Sequence, residues 1–213
     1  GPRVEAREAL PPAAAGGALS LPEHTLVPKR GRNGILVANA ERFREMPRPD
    51  TLHDTARPLT RRAVLQAGFA FVDTAYGLGG AQGGLDCSGL LMDLFDSFDI
   101  ALPRFSGWQA EAGSYAVDVQ GASETEKLQR IDLAAKRGIV MAYFPGHIML
   151  YLGRNQRGDA MALHALGEYV QPCGEARETV IDVQRTVVSG LDLGRGSSRR
   201  SLLERITRLV VFG

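Results

Sequence analysis

Gly146-His147-Ile148-Met149-Leu150-Tyr151-Leu152-Gly153-Arg154-Asn155-Gln156-Arg157-Gly158-Asp159-Ala160-Met161-Ala162-Leu163-His164 reads as two apolar strands joined by a polar turn bounded by glycines. Closing the turn with Gly153 opposite Gly158 sets His147 directly across from His164 on one sheet face, with Cβ atoms about 5 Å apart. Ile148, Leu150 and Leu152 then form an apolar wall on the other face. The pairing is sensitive to register, because a slip of one residue would send the two histidines to opposite faces.

Outward from this hairpin, residues 139–144, 179–188 and 209–212 are also rich in β-branched and apolar residues, and with 147–152 and 160–166 they read as strands. Upstream the period changes to that of helices. Thr60 is placed to cap a helix carrying Val64, Ala67, Gly68 and Phe71, which stops at the glycine-rich loop of residues 76–84. A second helix follows over 88–98 with Leu90, Leu91, Leu94 and Phe95 on one stripe, and Ser106 opens a short third. Ser123-Glu124-Thr125-Glu126 is a capping box for a fourth, running to about residue 136. Helices first and antiparallel strands second predict an α+β fold.

Eight of the eleven prolines precede residue 60, so the composition divides the chain into residues 1–58 and 59–213. The first part reads as an irregular N-terminal arm or linker, extended over 1–20 and holding one strand within 33–43. The whole is 213 residues, which excludes repeat arrays. Lys plus Arg at 25 against Asp plus Glu at 24 is too balanced to predict a nucleic-acid groove. No apolar run is long enough for a membrane span, since residues 138–153 are broken by Pro145, Gly146 and His147. The chain opens on Gly1-Pro2, which resembles the scar of a cleaved tag. The expectation is a periplasmic or secreted monomer whose export signal has been removed.

Of the two cysteines, Cys87 follows the glycine-rich loop at a helix start, where backbone N–H groups favour a thiolate and a substrate can approach closely. Cys173, in Gln171-Pro172-Cys173-Gly174, reads as a turn residue. A thiol, a histidine to take its proton and a second group to orient that histidine make up a cysteine hydrolase. The same set with Asp86 also contains zinc ligands, but no short-spaced ligand pair is present. The expectation is no metal and no cofactor.

The order Tyr76-x-x-Gly79-Gly80, Asp86-Cys87-Ser88-Gly89-Leu90, Leu102-Pro103-Arg104 with Gln109, Gly146-His147 and His164-Ala165 resembles the NlpC-type cell-wall peptidases of the papain-like superfamily, over residues 60–213. The resemblance implies a papain-like core and hydrolysis of the bond between γ-D-Glu and meso-diaminopimelate or L-Lys in peptidoglycan stem peptides. It makes Cys87 the nucleophile, His147 the general base and His164 its orienting partner, with Tyr76, Asp86 and Ser88 on the substrate side and the Cys87 N–H at the oxyanion. Many relatives have Trp where this chain has Leu78, and Gly-Asp where it has Arg137-Gly138. Relatives also often carry an SH3-like domain that closes one end of the cleft, so the arm is expected to be a remnant of or substitute for one. Two other readings use the same residues: an acyltransferase or amidase at the Cys-His-His site, and a non-catalytic wall-binding module.

Overall fold

The computed structural model describes residues 58–213 apart from 175–176, and within residues 1–57 the backbone of five strands. The chain forms two compact units, residues 1–58 with 96–100 and residues 59–95 with 101–213.

In the first unit, β1 (Arg3–Ala6), β2 (Leu26–Arg30), β3 (Gly34–Ala38), β4 (Phe43–Pro47) and β5 (Leu52–Asp54) make an antiparallel sheet in the order β4-β3-β2-β1-β5. The expected irregular arm with one strand is therefore corrected: the strand within 33–43 is one of five. Strands this short carry little period-two signal, and Pro28 and Pro47 lie within them. The stretch expected to be extended over 1–20 falls, apart from β1, outside the described residues.

The second unit opens with α1 (Arg61–Phe69), capped by Thr60, whose side chain accepts from the Ala63 N–H at 3.2 Å. Two short helical turns over Leu78–Gly83 lead to α2 (Cys87–Asp96). Asp86 caps α2, its carbonyl accepting from Leu90 N–H and its carboxylate from Gly89 N–H. There follow α3 (Ser106–Gln109), β6 (Tyr115–Asp118) and α4 (Glu124–Ala135), the last opened by the Ser123–Glu126 capping box. Then come β7 (Ile139–Phe144), β8 (His147–Arg154), β9 (Ala160–Pro172), β10 (Glu178–Gly190), α5 (Leu202–Arg205) and β11 (Arg208–Phe212).

These strands form one antiparallel sheet in the order β10-β9-β8-β7-β11-β6. The predicted α+β class and the four predicted helices stand. The single-turn α5 and the four-residue edge strand β6 are additions too short for periodicity to reveal. Helices cover both sheet faces. Ile131 and Ala134 of α4 and Leu202 and Leu203 of α5 pack with Met149, Tyr151 and Ala162 on one face. On the other, α1 comes in closely at Gly68, where a Cβ would lie 2.9 Å from the Leu163 side chain and near Leu150 and Leu94 of α2. Covered on both sides, β7 is buried at every position but Tyr143.

The hairpin register differs from the expected one. The turn is wider, with Arg154 pairing with Ala160 and Gly153 with Met161; Leu152 is then the extra residue of a β-bulge, and pairing resumes at Tyr151 with Ala162 and Leu150 with Leu163. Asn155 takes over the turn, its side-chain oxygen accepting from the N–H groups of Arg157 and Asp159 at 2.9 Å each. His147 and His164 are thus diagonal neighbours on a shared face rather than directly opposed.

Candidate active site

The glycine-rich loop brings the start of α2 to the sheet. Gly77 and Gly84 cross so closely that a Cβ on Gly77 would lie 2.2 Å from the Ala81 carbonyl oxygen, and one on Gly84 2.7 Å from the Gly77 nitrogen. Only glycine fits this crossing. Its result is that Cys87, half-buried at the first position of α2, has its sulfur against the beginning of β8, where the Ile148 N–H donates to it.

Beside it, three strands each supply one member of a polar chain. His147 of β8 meets His164 of β9 with Nε2 to Nδ1 at 2.8 Å, and His164 Nε2 meets Ser189 Oγ of β10 at 2.9 Å. Ser189 Oγ in turn donates to the Gly190 carbonyl at 3.3 Å. Taking that carbonyl as the acceptor of the Ser189 hydroxyl assigns the tautomers: Ser189 accepts the His164 Nε2–H, His164 Nδ1 is an acceptor, and His147 Nε2 carries a proton. In that assignment His147 Nδ1 is left as the free base. Ser189 was not foreseen in the sequence. It lies on the same face as Val187, the partner of His164, two residues along β10, and that placement follows a second bulge between Asp182 and Arg185.

The electrostatics favour neutral groups. Burial pushes the Cys87 thiol up, with Asp86 adding to it, against the lowering N–H donors of Ile148, Ser88 and Cys87. Loss of hydration thus outweighs the helix-start donors and runs against the thiolate that the helix start favours. His147 is held well below its ordinary value by burial, by His164 and by Arg205. His164 is fully buried, which lowers it to about 4.

A consequence for stability follows. Below about pH 6.5 the unfolded chain protonates at His164 while the folded chain does not, so stability is lost as pH falls from 6.5 to about 4. The expected loss from this residue is about 3 kcal/mol. Urea titrations at pH 7 and pH 4 should show it as a difference between wild type and His164→Asn, and identical pH slopes in the two proteins would refute it.

Tyr76, Asp86, Cys87, Ser88 and His147 line one cleft of about 770 Å³. Asp86 and Ser88 lie in its wall within an internal network. The Asp86 carboxylate accepts from Gly79 N–H, Gly89 N–H, Ser88 Oγ and both terminal nitrogens of Arg104, at 2.5 to 3.1 Å. Burial opposes its ionisation, but Arg104 and the two N–H groups prevail and hold it below the ordinary value. Ser88 Oγ also accepts from Arg104 at 2.7 Å, and buried Gln109 donates to the carbonyls of Ser88 and Pro103. Tyr76 packs by Gly167, its hydroxyl pushed up by burial and by the nearby Cys87 and Asp86. Cys173 is an exposed free thiol near Thr179, and Trp108 is exposed with its ring edge-on to Phe105. Among the described residues no group of three or more His, Cys, Asp or Glu is arranged to hold a metal ion, and no helix is long and apolar enough to cross a membrane.

A model of the NlpC/P60 family matches residues 73–184. Peptidoglycan endopeptidase RipB of Mycobacterium tuberculosis is 33% identical over 115 residues, which is 47% of this chain and 41% of that protein. The chain thus spans about two fifths of the length of the curated relatives it matches. An NlpC/P60 endopeptidase from Photobacterium damselae subsp. piscicida superposes with a TM-score of 0.71 at 18% identity, over 99% of this chain and 53% of that one. A family member from Bacillus cereus ATCC 10987 gives 0.57 at 17%, over 99% and 63%. At these identities the two structures share the fold.

Proposed function

We propose that this chain, which belongs to the NlpC/P60 family, is a cysteine hydrolase that cuts peptidoglycan stem peptides between γ-D-Glu and the diamino acid that follows, and that it acts outside the cytoplasm. The observation that carries this reading is the chain from His147 through His164 to Ser189, because it leaves one nitrogen of His147 as a base on the cleft that Cys87 lines.

In this mechanism His147 Nδ1 removes the Cys87 proton as the sulfur attacks the γ-carbonyl, and His164 stabilises the imidazolium by accepting its Nε2–H. The Cys87 N–H, unused within α2 because it lies in the first turn, helps to hold the oxyanion. The C–N bond breaks as His147 returns the proton to the departing amine. Water, deprotonated by His147, then releases the acyl group and restores the thiol. Because the resting pair is neutral, the proton moves in the transition state. Tyr76, Asp86 and Ser88 form the substrate side of the cleft, with Asp86 and Ser88 acting through the rigid wall they build with Arg104. We also propose that residues 1–58 are a remnant of or a substitute for the SH3-like domain of relatives, since about sixty residues are enough for a small sheet domain.

The test is incubation with purified muropeptides and identification of the new termini by mass spectrometry. New D-Glu carboxyl and diaminopimelate or Lys amino termini are expected. Intact muropeptides, or acyl transfer to an added amine without hydrolysis, would overturn the assignment.

A further inference from the structure

Four arginines line the cleft, Arg104, Arg199, Arg200 and Arg205. Three are matched by carboxylates: Arg104 with Asp86 at 2.5 Å, Arg199 with Glu168 at 2.5 Å and Arg200 with Glu204 at 3.5 Å. Arg205 is not, for among the described residues no carboxylate forms an ion pair with it. Its guanidinium lies instead over the Phe144 ring, 4.0 Å from the centroid, and Phe144 packs against His147 with centroids 5.4 Å apart. A planar cation is thereby held over the ring that packs against the base, its N–H groups without an acidic acceptor among the described residues.

The position is built. Arg205 ends α5, whose start is locked by a capping box between Ser201 and Glu204. Lys127, buried on α4, donates to the carbonyls of Leu203 at 3.3 Å and Glu204 at 2.7 Å, fastening the turn that carries Arg205. A fixed guanidinium in a partly desolvated cleft matches a planar, bidentate anion.

We propose that Arg205 binds a free carboxylate of the substrate beside the scissile amide. Resting on the function proposed above, this identifies two sources on a stem peptide: the α-carboxylate of the γ-linked D-Glu and the distal carboxylate of diaminopimelate. The role also fits the field at the base. Unoccupied, Arg205 disfavours the His147 imidazolium. A bound carboxylate offsets that charge and places the base beside a neutralised pair when it takes up its proton.

The experiment compares three stems, L-Ala-γ-D-Glu-diaminopimelate, its D-isoglutamine analogue and its L-Lys analogue, in wild type, Arg205→Gln and Arg205→Lys, with folding checked by circular dichroism. Loss of one charge-assisted hydrogen-bonded contact should lower kcat/KM about ten- to a hundredfold. Wild type should show that loss on the analogue lacking the recognised carboxylate. Arg205→Gln should show it on the complete stem, mainly in KM, and should no longer discriminate; Arg205→Lys should recover part. A loss confined to D-isoglutamine assigns D-Glu as the source, and one confined to L-Lys assigns diaminopimelate. Equal use of all three stems by wild type, or undiminished discrimination in Arg205→Gln, overturns the inference.

Calorimetric binding of the same stems to Cys87→Ala, with and without Arg205→Gln, separates this inference from the catalytic reading. Carboxylate-dependent binding without wild-type turnover would remove the hydrolase and leave the subsite standing. Binding indifferent to the carboxylate or to Arg205, or no binding at all, would remove the subsite.

Discussion

Cys87→Ala is expected to lower stem-peptide hydrolysis by on the order of 10⁶-fold while leaving the fold and stem binding intact. In the proposed mechanism the sulfur forms the covalent intermediate, and the adjacent Ser88 Oγ cannot replace it, being buried and held by Arg104 and Asp86. Oxyanion donors and base would survive the change, so what is left is the small rate these give to water alone. The fold should tolerate it because the thiol is half-buried and its N–H donors, from Ile148, Ser88 and Cys87, can turn to a cleft water. Single-turnover assays of purified muropeptides, with thermal melts alongside, read both quantities. Residual activity within a hundredfold of wild type would show that the nucleophile is elsewhere.

The second large effect is expected at the histidines, and it should be unequal. His147→Ala removes the group that moves the proton twice and should cost about 10⁴-fold in kcat/KM. His164→Ala removes a group that sets tautomer and ring direction, and a loss of about 10²-fold is expected, with activity still measurable. Since the two act as one unit, the double variant should be no slower than His147→Ala alone. Additive losses, or a larger loss at His164 than at His147, would reverse the roles. His164 is completely buried, so its truncation also opens a cavity and frees Ser189. His164→Asn, which keeps a polar group in the space, should therefore be more stable than His164→Ala.

Much of the second unit was legible in local pattern. Thr60 and Ser123 announce their helices because a capping side chain bonds a backbone N–H three residues on, an interaction that needs nothing from the rest of the chain. Cys87 could be singled out because glycine-rich loop and helix start are both local signals. Asp86 was visible beside it, but its matching by Arg104 was not, since that partner arrives from eighteen residues away. Arg205 carried no local signal either; three neighbours in sequence, Arg199, Arg200 and Arg208, look the same on paper, and only their partners distinguish them.

The amino-acid sequence by itself determined the class of fold, the helix starts, the cysteine at the start of α2 and the strands that hold both histidines. Whether those histidines meet was decided in three dimensions. Carried on unchanged, the pairing of Gly153 with Met161 would set His164 opposite Leu150, on the face away from His147. The bulge at Leu152 takes up one residue and returns both rings to the same face. It frees the Leu152 carbonyl from the ladder, and Arg61 of α1 donates to that oxygen at 2.8 Å from ninety-one residues away. Gly153, at a φ of 118°, supplies the backbone bend. A part-buried carbonyl taken out of the ladder needs a donor, and this donor exists only once α1 is packed beside the hairpin, so the register of the histidine pair is a property of the folded unit and not of the hairpin's own residues.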